Sequence, residues 1–186
     1  MSEQSPGPNL PILRPIRPSD APGLQAFHRR LSEETVRRRY FSPHPLLSDE
    51  EARYFTELDP NTRAAMIATV ERQIIAVGRY IGAPDSDTAE VAFVVDDRYQ
   101  RRGLGSRLLA MLVPIAWNQG IRFFVADTQS DNLAMLRVFY HSSEVVTVQR
   151  ATPAHGITHV VMELVPPGIR KVAPSSVRSR ASPTAA

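Results

Sequence analysis

Apolar and polar positions alternate in short blocks that predict strands and amphipathic helices in turn. Residues 10–16 (LPILRPI) predict a first strand, and Ser19-Asp20 then opens a helix whose Pro22 falls in the first turn, where a missing N–H costs little. Two further polar-rich helices are predicted over residues 32–40 and from Ser48, whose Glu51 three positions on completes a capping box. The segment FSPHPLL between them reads as a loop. Residues 63–70 and 73–80 are apolar or β-branched runs broken by Glu71-Arg72, a hairpin pattern, and residues 89–95 form a third strand after the turn-rich GAPDSDT.

Leu104, Leu108, Met111, Leu112 and Ile115 then recur at i, i+4, i+7, i+8 and i+11, so one helix face is apolar. Pro114 lies inside that pattern and predicts either a kink or an early end. Residues 121–126 predict a strand, 132–140 a short helix, and 145–149 and 158–165 the closing strands. The order is that of a mixed α/β chain whose early strands pair directly and whose later strands are joined by a helix.

Composition narrows the class. A length of 186 residues with 42% hydrophobic content suits one domain with a complete core. The longest apolar run, residues 108–117, is too short to span a bilayer and contains a proline. The opening MSEQSPGPNL lacks the basic-then-apolar pattern of a secretory signal, which points to a cytoplasmic protein and no membrane partner. The absence of cysteine removes disulfides, thiolate metal sites and a cysteine nucleophile together.

The net charge of +3 invites a nucleic-acid reading, but Arg170, Lys171, Arg178 and Arg180 all lie in the last 21 residues, which contain no acid. Subtracting that +4 leaves the rest of the chain near −1, so no nucleic acid is expected as a partner. The expected organisation is a flexible segment 1–9, a folded domain 10–165, and a disordered basic tail 166–186 rich in proline, serine and alanine.

The candidate chemistry starts at YQRRGLGS, residues 99–106, between a strand and a helix. Gly103 and Gly105 let backbone N–H groups approach a ligand, and the helix adds its positive end. A dinucleotide fingerprint would require a third glycine where Leu108 stands, and a P-loop would require Gly-Lys-Ser/Thr. Spacing alone leaves open an anion cradle or a ligand-free helix-opening turn. His155 and His159, four apart around Gly156, lack a third ligand and read as unrelated loop and strand residues. The clusters Asp96-Asp97 and Asp49-Glu50-Glu51 read as solvated turn and helix-start charges.

From Val95 to Gly105 the chain resembles V-x-x-x-x-Q/R-x-x-G-x-G/A, the acyl-CoA motif of the GNAT superfamily of N-acetyltransferases, with the strand before it and the helix after it that the fold requires. Asn132, seven residues before Phe139, is similar to the family's second motif. Within the superfamily, the stretches LRPIRPSDAPGLQAFHRRLSEETVRRRYFSPHP, AEVAFVVDDRYQRRGLGSRLL and DNLAMLRV resemble the catalytic domains of bacterial Pat-type protein-lysine acetyltransferases. Some of that group carry an attached cyclic-nucleotide or synthetase-like domain, and nothing in these residues matches one.

The resemblance implies a single GNAT-like α+β domain, a mostly antiparallel mixed sheet flanked by helices, with acyl-CoA held at a splay between central strands. It implies acetyl-CoA as cosubstrate, no metal, and an acceptor amine, first a protein lysine. The alternatives are a small-molecule amine acceptor or a non-catalytic acyl-CoA-binding regulator. Oligomeric state is not implied.

A free lysine of pKa about 10.4 is almost wholly protonated at pH 7, so transfer to it needs a base. Glu90, at the start of the strand before the motif, alternates with Ala92 and Val94 on one face, where apolar neighbours could raise its pKa. By resemblance Glu90 is the general base. Phe93, Val94 and Val95 are expected to offer backbone groups to the pantetheine arm, Arg101, Arg102, Gly103, Leu104, Gly105 and Ser106 to hold the pyrophosphate, and Asn132 to complete the cofactor site. Many relatives place a tyrosine at the position of Phe139 to protonate the departing thiolate; here Tyr140 comes one residue later, about 100° round the helix, and reads as a packing residue. Ser142-Ser143-Glu144 stands where relatives commonly have glycine-phenylalanine.

Overall fold

The computed structural model describes residues 10–44 and 46–168. The expected flexible segment 1–9 lies outside the described residues, as does the expected tail beyond residue 168.

Three apolar runs separated by short turns form an antiparallel meander of β2 (Arg63–Val70), β3 (Gln73–Gly82) and β4 (Thr88–Val95), and β1 (Ile12–Pro15) pairs with the free edge of β2. Glu71 and Arg72, with φ of 49° and 66°, make the two-residue turn that the broken apolar pattern predicts. The later strands, β5 (Phe123–Gln129), β6 (Val146–Ala154) and β7 (Ile157–Leu164), extend the sheet to seven strands in the order β1-β2-β3-β4-β5-β7-β6. Every neighbouring pair is antiparallel except β4 and β5. That parallel pair needs a crossover, which α4 (Leu104–Asn118) supplies.

Strand alternation assigns a core to each face. Ala89, Val91 and Phe93 of β4 join Leu104, Leu108 and Leu112 of α4 and Phe139 of α5 (Leu133–Tyr140) on one side. Ala65, Ile67 and Val77 meet Leu24 and Phe27 of α1 (Ala21–Arg29) and Ala52 of α3 (Asp49–Thr56) on the other. Val94 packs with this second cluster, so Glu90, Ala92 and Val94 face the α1 and α3 side.

Local signals mark the helix ends. Ser48 and Glu51 form the reciprocal capping box at α3, and Ser32 accepts from the Thr35 N–H at the start of α2 (Glu33–Tyr40). Helix α4 runs through Pro114 to residue 118 rather than ending early; the carbonyl deprived of its partner is that of exposed Ala110, where water can serve it. Strand β6 extends five residues beyond its apolar run. It is an edge strand with one side in water, so its ladder with β7 continues where its hydrophobic pattern stops, past a bulge between Val148 and Arg150.

Candidate active site

The parallel ladder of β4 and β5 lasts for three pairs, Thr88 with Phe123, Ala89 with Phe124 and Glu90 with Val125. Past Glu90 the strands part, and residues 91–95 lose their partner on that edge. The opening is a cleft of about 970 Å³, at the upper end of small-molecule sites. Phe93, Val94 and Val95 form one wall, Ala126, Asp127 and Thr128 the other, and Asn132 of the α5 start lies between.

Gly103, Leu104, Gly105 and Ser106 close one end. Helices α2 and α3 each cap their first turn with a serine, but the N-cap of α4 is Gly103, and among the described residues no side chain caps its start. Its first N–H groups stay open to an anion, with the helix dipole behind them. Gly103 has φ of 74°, a left-handed turn that any Cβ would strain. A Cβ on Gly105 would come within 2.9 Å of Val138 Cγ2, so this glycine lets α5 approach the start of α4. Arg101 lines the cleft; Arg102 does not, and its guanidinium sits over the Tyr99 ring at 5.2 Å. Asn132 accepts from the Met135 N–H, capping α5. Thr128 Oγ1, buried in the opposite wall, has no hydrogen-bond partner among the described residues. An uncapped helix start facing an orphaned hydroxyl across a long cleft fits a ligand that is anionic at one end and polar along its arm.

Glu90 is exposed at the mouth of the cleft, on the α1 to α3 side of the sheet. Above it lies α2, stitched down by Asp97. The Asp97 carboxylate accepts from the Ser32 N–H (3.0 Å), the Ser32 hydroxyl (2.7 Å) and the Thr35 hydroxyl (2.7 Å). Burial alone would raise the Asp97 pKa, but these donors outweigh it and hold the carboxyl below the usual range. Asp96 is buried, chelated by Arg98 with Arg30 3.8 Å away, and lies below the usual range through the Arg98 hydrogen bonds. Asp96 is therefore a buried stitch and not the solvated turn charge that the sequence suggests, whereas Asp97 stays exposed as expected but is tied to Ser32 and Thr35. The pattern of neighbouring charges could not show which partners the fold brings.

Sequence reasoning also missed Arg39 and Arg79. Both are half-buried on the Glu90 side, the first lining the cleft and both lining a cavity of about 20 Å³ beside it. On the far wall, His159 Nδ1 donates to Asp127 at 2.7 Å. His155 lies instead in the turn between β6 and β7, so the two histidines serve separate structures. Phe139 is in the core and Tyr140 is 53% exposed outside the cleft, whereas His141 lines it. Ser142, in the unusual turn, donates to the Val138 carbonyl at 2.6 Å and closes α5.

Comparison with known proteins places this geometry. The family described as acetyltransferase (GNAT) matches residues 26–141. Acetyltransferase Pat of Mycolicibacterium smegmatis is 33% identical over 132 residues, 68% of this chain and 38% of that protein, so the chain spans well under half of this relative's length. The crystal structure of the GNAT domain of S. lividans PAT, 33% identical, superposes with a TM-score of 0.75 over 83% of this chain and 90% of that one. The yncA structure from Salmonella typhimurium, solved with its cofactor acetyl-CoA, shares the fold at 18% identity, with a TM-score of 0.67 over 89% of this chain and all of that one.

Proposed function

Because the chain belongs to the acetyltransferase (GNAT) family, we propose that it transfers an acetyl group from acetyl-CoA to an amine, first of all a protein lysine, with Glu90 as general base. The observation that carries this reading is the uncapped N-terminus of α4 opening into the cleft between the parted β4 and β5, with Glu90 at its mouth.

Acetyl-CoA supplies the activated acyl thioester. The open N–H groups of residues 103–106 suit its pyrophosphate, and the unpaired edge of residues 91–95 suits its pantetheine arm, where one N–H directed at the thioester carbonyl would stabilise developing negative charge. Glu90 takes a proton from the incoming ammonium, the neutral amine attacks the carbonyl carbon, the N–C bond forms, and as the C–S bond breaks the second nitrogen proton passes to solvent, leaving a neutral amide. Tyr140 lies outside the cleft, and in this reading the departing thiolate is protonated by water. A protein lysine is read as the acceptor from the resemblance to Pat-type enzymes; the Pat relative and the PAT domain are each 33% identical to this chain over the aligned residues.

Turnover of acetyl-CoA with lysine peptides and with polyamines, on wild type and Glu90→Gln, tests the proposal. The variant is expected to lose about 10²- to 10⁴-fold in rate while binding acetyl-CoA as tightly in calorimetry. Equal rates would remove Glu90 as the base. Binding without acetylation of either acceptor class would favour a non-catalytic acyl-CoA sensor.

A further inference from the structure

We propose that Arg39 and Arg79 form an anion subsite that holds a carboxylate of the acceptor beside the amine that Glu90 deprotonates. The inference rests on the acetyl-transfer reading for the amine but on separate observations for the subsite.

Both guanidinium groups are half-buried, yet among the described residues neither makes a hydrogen bond or ion pair. Other half-buried arginines of this fold do find partners: Arg14 is bidentate on Asp20, and Arg122 donates to the Trp117 and Ile121 carbonyls. Uncompensated charge in poor solvent is costly, so its retention calls for a counter-ion. Burial pushes Arg79 down to about 9, with the charge of Arg39 adding to the effect.

The two side chains are held ready by aromatic faces. Arg79 lies 3.5 Å from the Phe55 ring centroid and Arg39 5.1 Å from that of Tyr40. After Tyr40, the acid whose field reaches both is Glu90, which favours their charged forms without reaching salt-bridge distance of either. Two cations and one carboxylate leave a single positive charge, which matches a monoanion. The planar guanidinium forks suit bidentate pairing with a carboxylate, and the cavity of about 20 Å³ beside them has room for a small polar group.

Register fixes the spacing. Arg79 pairs with Ala92 and Ile81 with Glu90, so Arg79 and Glu90 are diagonal neighbours on one sheet face, about 7–8 Å apart at the backbone. A carboxylate on the arginines therefore belongs to the residue carrying the amine or to one adjacent to it. The acceptor is then a lysine flanked by an acidic residue, or a free amino acid bearing its own carboxylate.

Calorimetry with CoA present, using a lysine peptide with a neighbouring glutamate and the same peptide with glutamine, tests the subsite without turnover. Wild type is expected to bind the acidic peptide at least tenfold more tightly, and Arg39→Met and Arg79→Met to bring the ratio to about 1. Arg79→Lys should keep part of the preference, charge without the fork. Retained acetyl-CoA binding by Arg79→Met, whose side chain lies outside the CoA cleft, certifies its fold. Equal binding of the two peptides to wild type, or an unchanged ratio in both methionine variants, overturns the subsite even if both peptides are acetylated. A charge-dependent ratio without acetylation of either peptide overturns the transfer reading and leaves the subsite standing. Lysine and lysinamide, run in parallel, distinguish the sources: discrimination between them assigns the carboxylate to a free amino acid, and discrimination between the peptides alone assigns it to a side chain.

Discussion

Single residues in this fold owe their roles to what surrounds them. Among the described residues nothing lies within 4 Å of where a Gly103 Cβ would stand, so Gly103→Val acts through its positive φ and through the ligand. The expected cost is roughly 1–2 kcal/mol of stability with loss of acetyl-CoA affinity, read by urea unfolding and calorimetry. Gly105→Ala acts differently, by wedging Val138 and α5 away from α4. Overpacking of this kind costs about 1–3 kcal/mol, and the melt should show it even without ligand. The motif around these glycines was legible in the sequence because all its parts are contiguous. Arg39 and Arg79 were not, because their proximity depends on how α2 settles on a sheet whose register is set by residues far away. Asp96 and Asp97 look alike on paper and separate only when Arg98 and Ser32 reach them.

At the scale of elements, the loop between β4 and α4 does two jobs. Its glycine end opens the helix start, and its acidic end anchors α2 through Ser32 and Thr35, with Gln100 donating to the Thr35 hydroxyl at 3.1 Å. Asp97→Ala should therefore destabilise the chain by about 1–2 kcal/mol, the loss of an N-terminal anchor, and weaken the acceptor more than acetyl-CoA. An equal loss for both ligands would show that α2 does not roof the acceptor side. Helix and strand positions were largely legible because their periodicity is local; the continuation of β6 was not, because backbone pairing sustains an edge strand without an apolar pattern. Buried His28, packed edge-on to Tyr40 and His44, ties α1 to the loop before α3. Neither of its ring nitrogens has a partner among the described residues, and burial, then the charge of His44, depresses its pKa.

For the whole molecule, those shifts set the response to acid. A depressed histidine means that the unfolded chain binds a proton more readily than the folded one, so stability falls as pH drops below about 6.5. Asp20, lowered first by the Arg14 hydrogen bond, and Asp96, lowered first by Arg98, follow the same sign in a second window below about pH 4. Urea midpoints measured from pH 7 to pH 3 should therefore decline in two stages. His28→Phe should flatten the first stage and leave the second; parallel curves for variant and wild type would assign the first stage to another group.

The three-pair seam between β4 and β5 has a mechanical consequence. It is a short weld between two half-sheets, and any ligand lying along the open edge of residues 91–95 takes the place of the missing strand contacts. Cosubstrate would then serve as a splint as well as a reactant, slowing amide hydrogen exchange along that edge and making the two halves unfold as one.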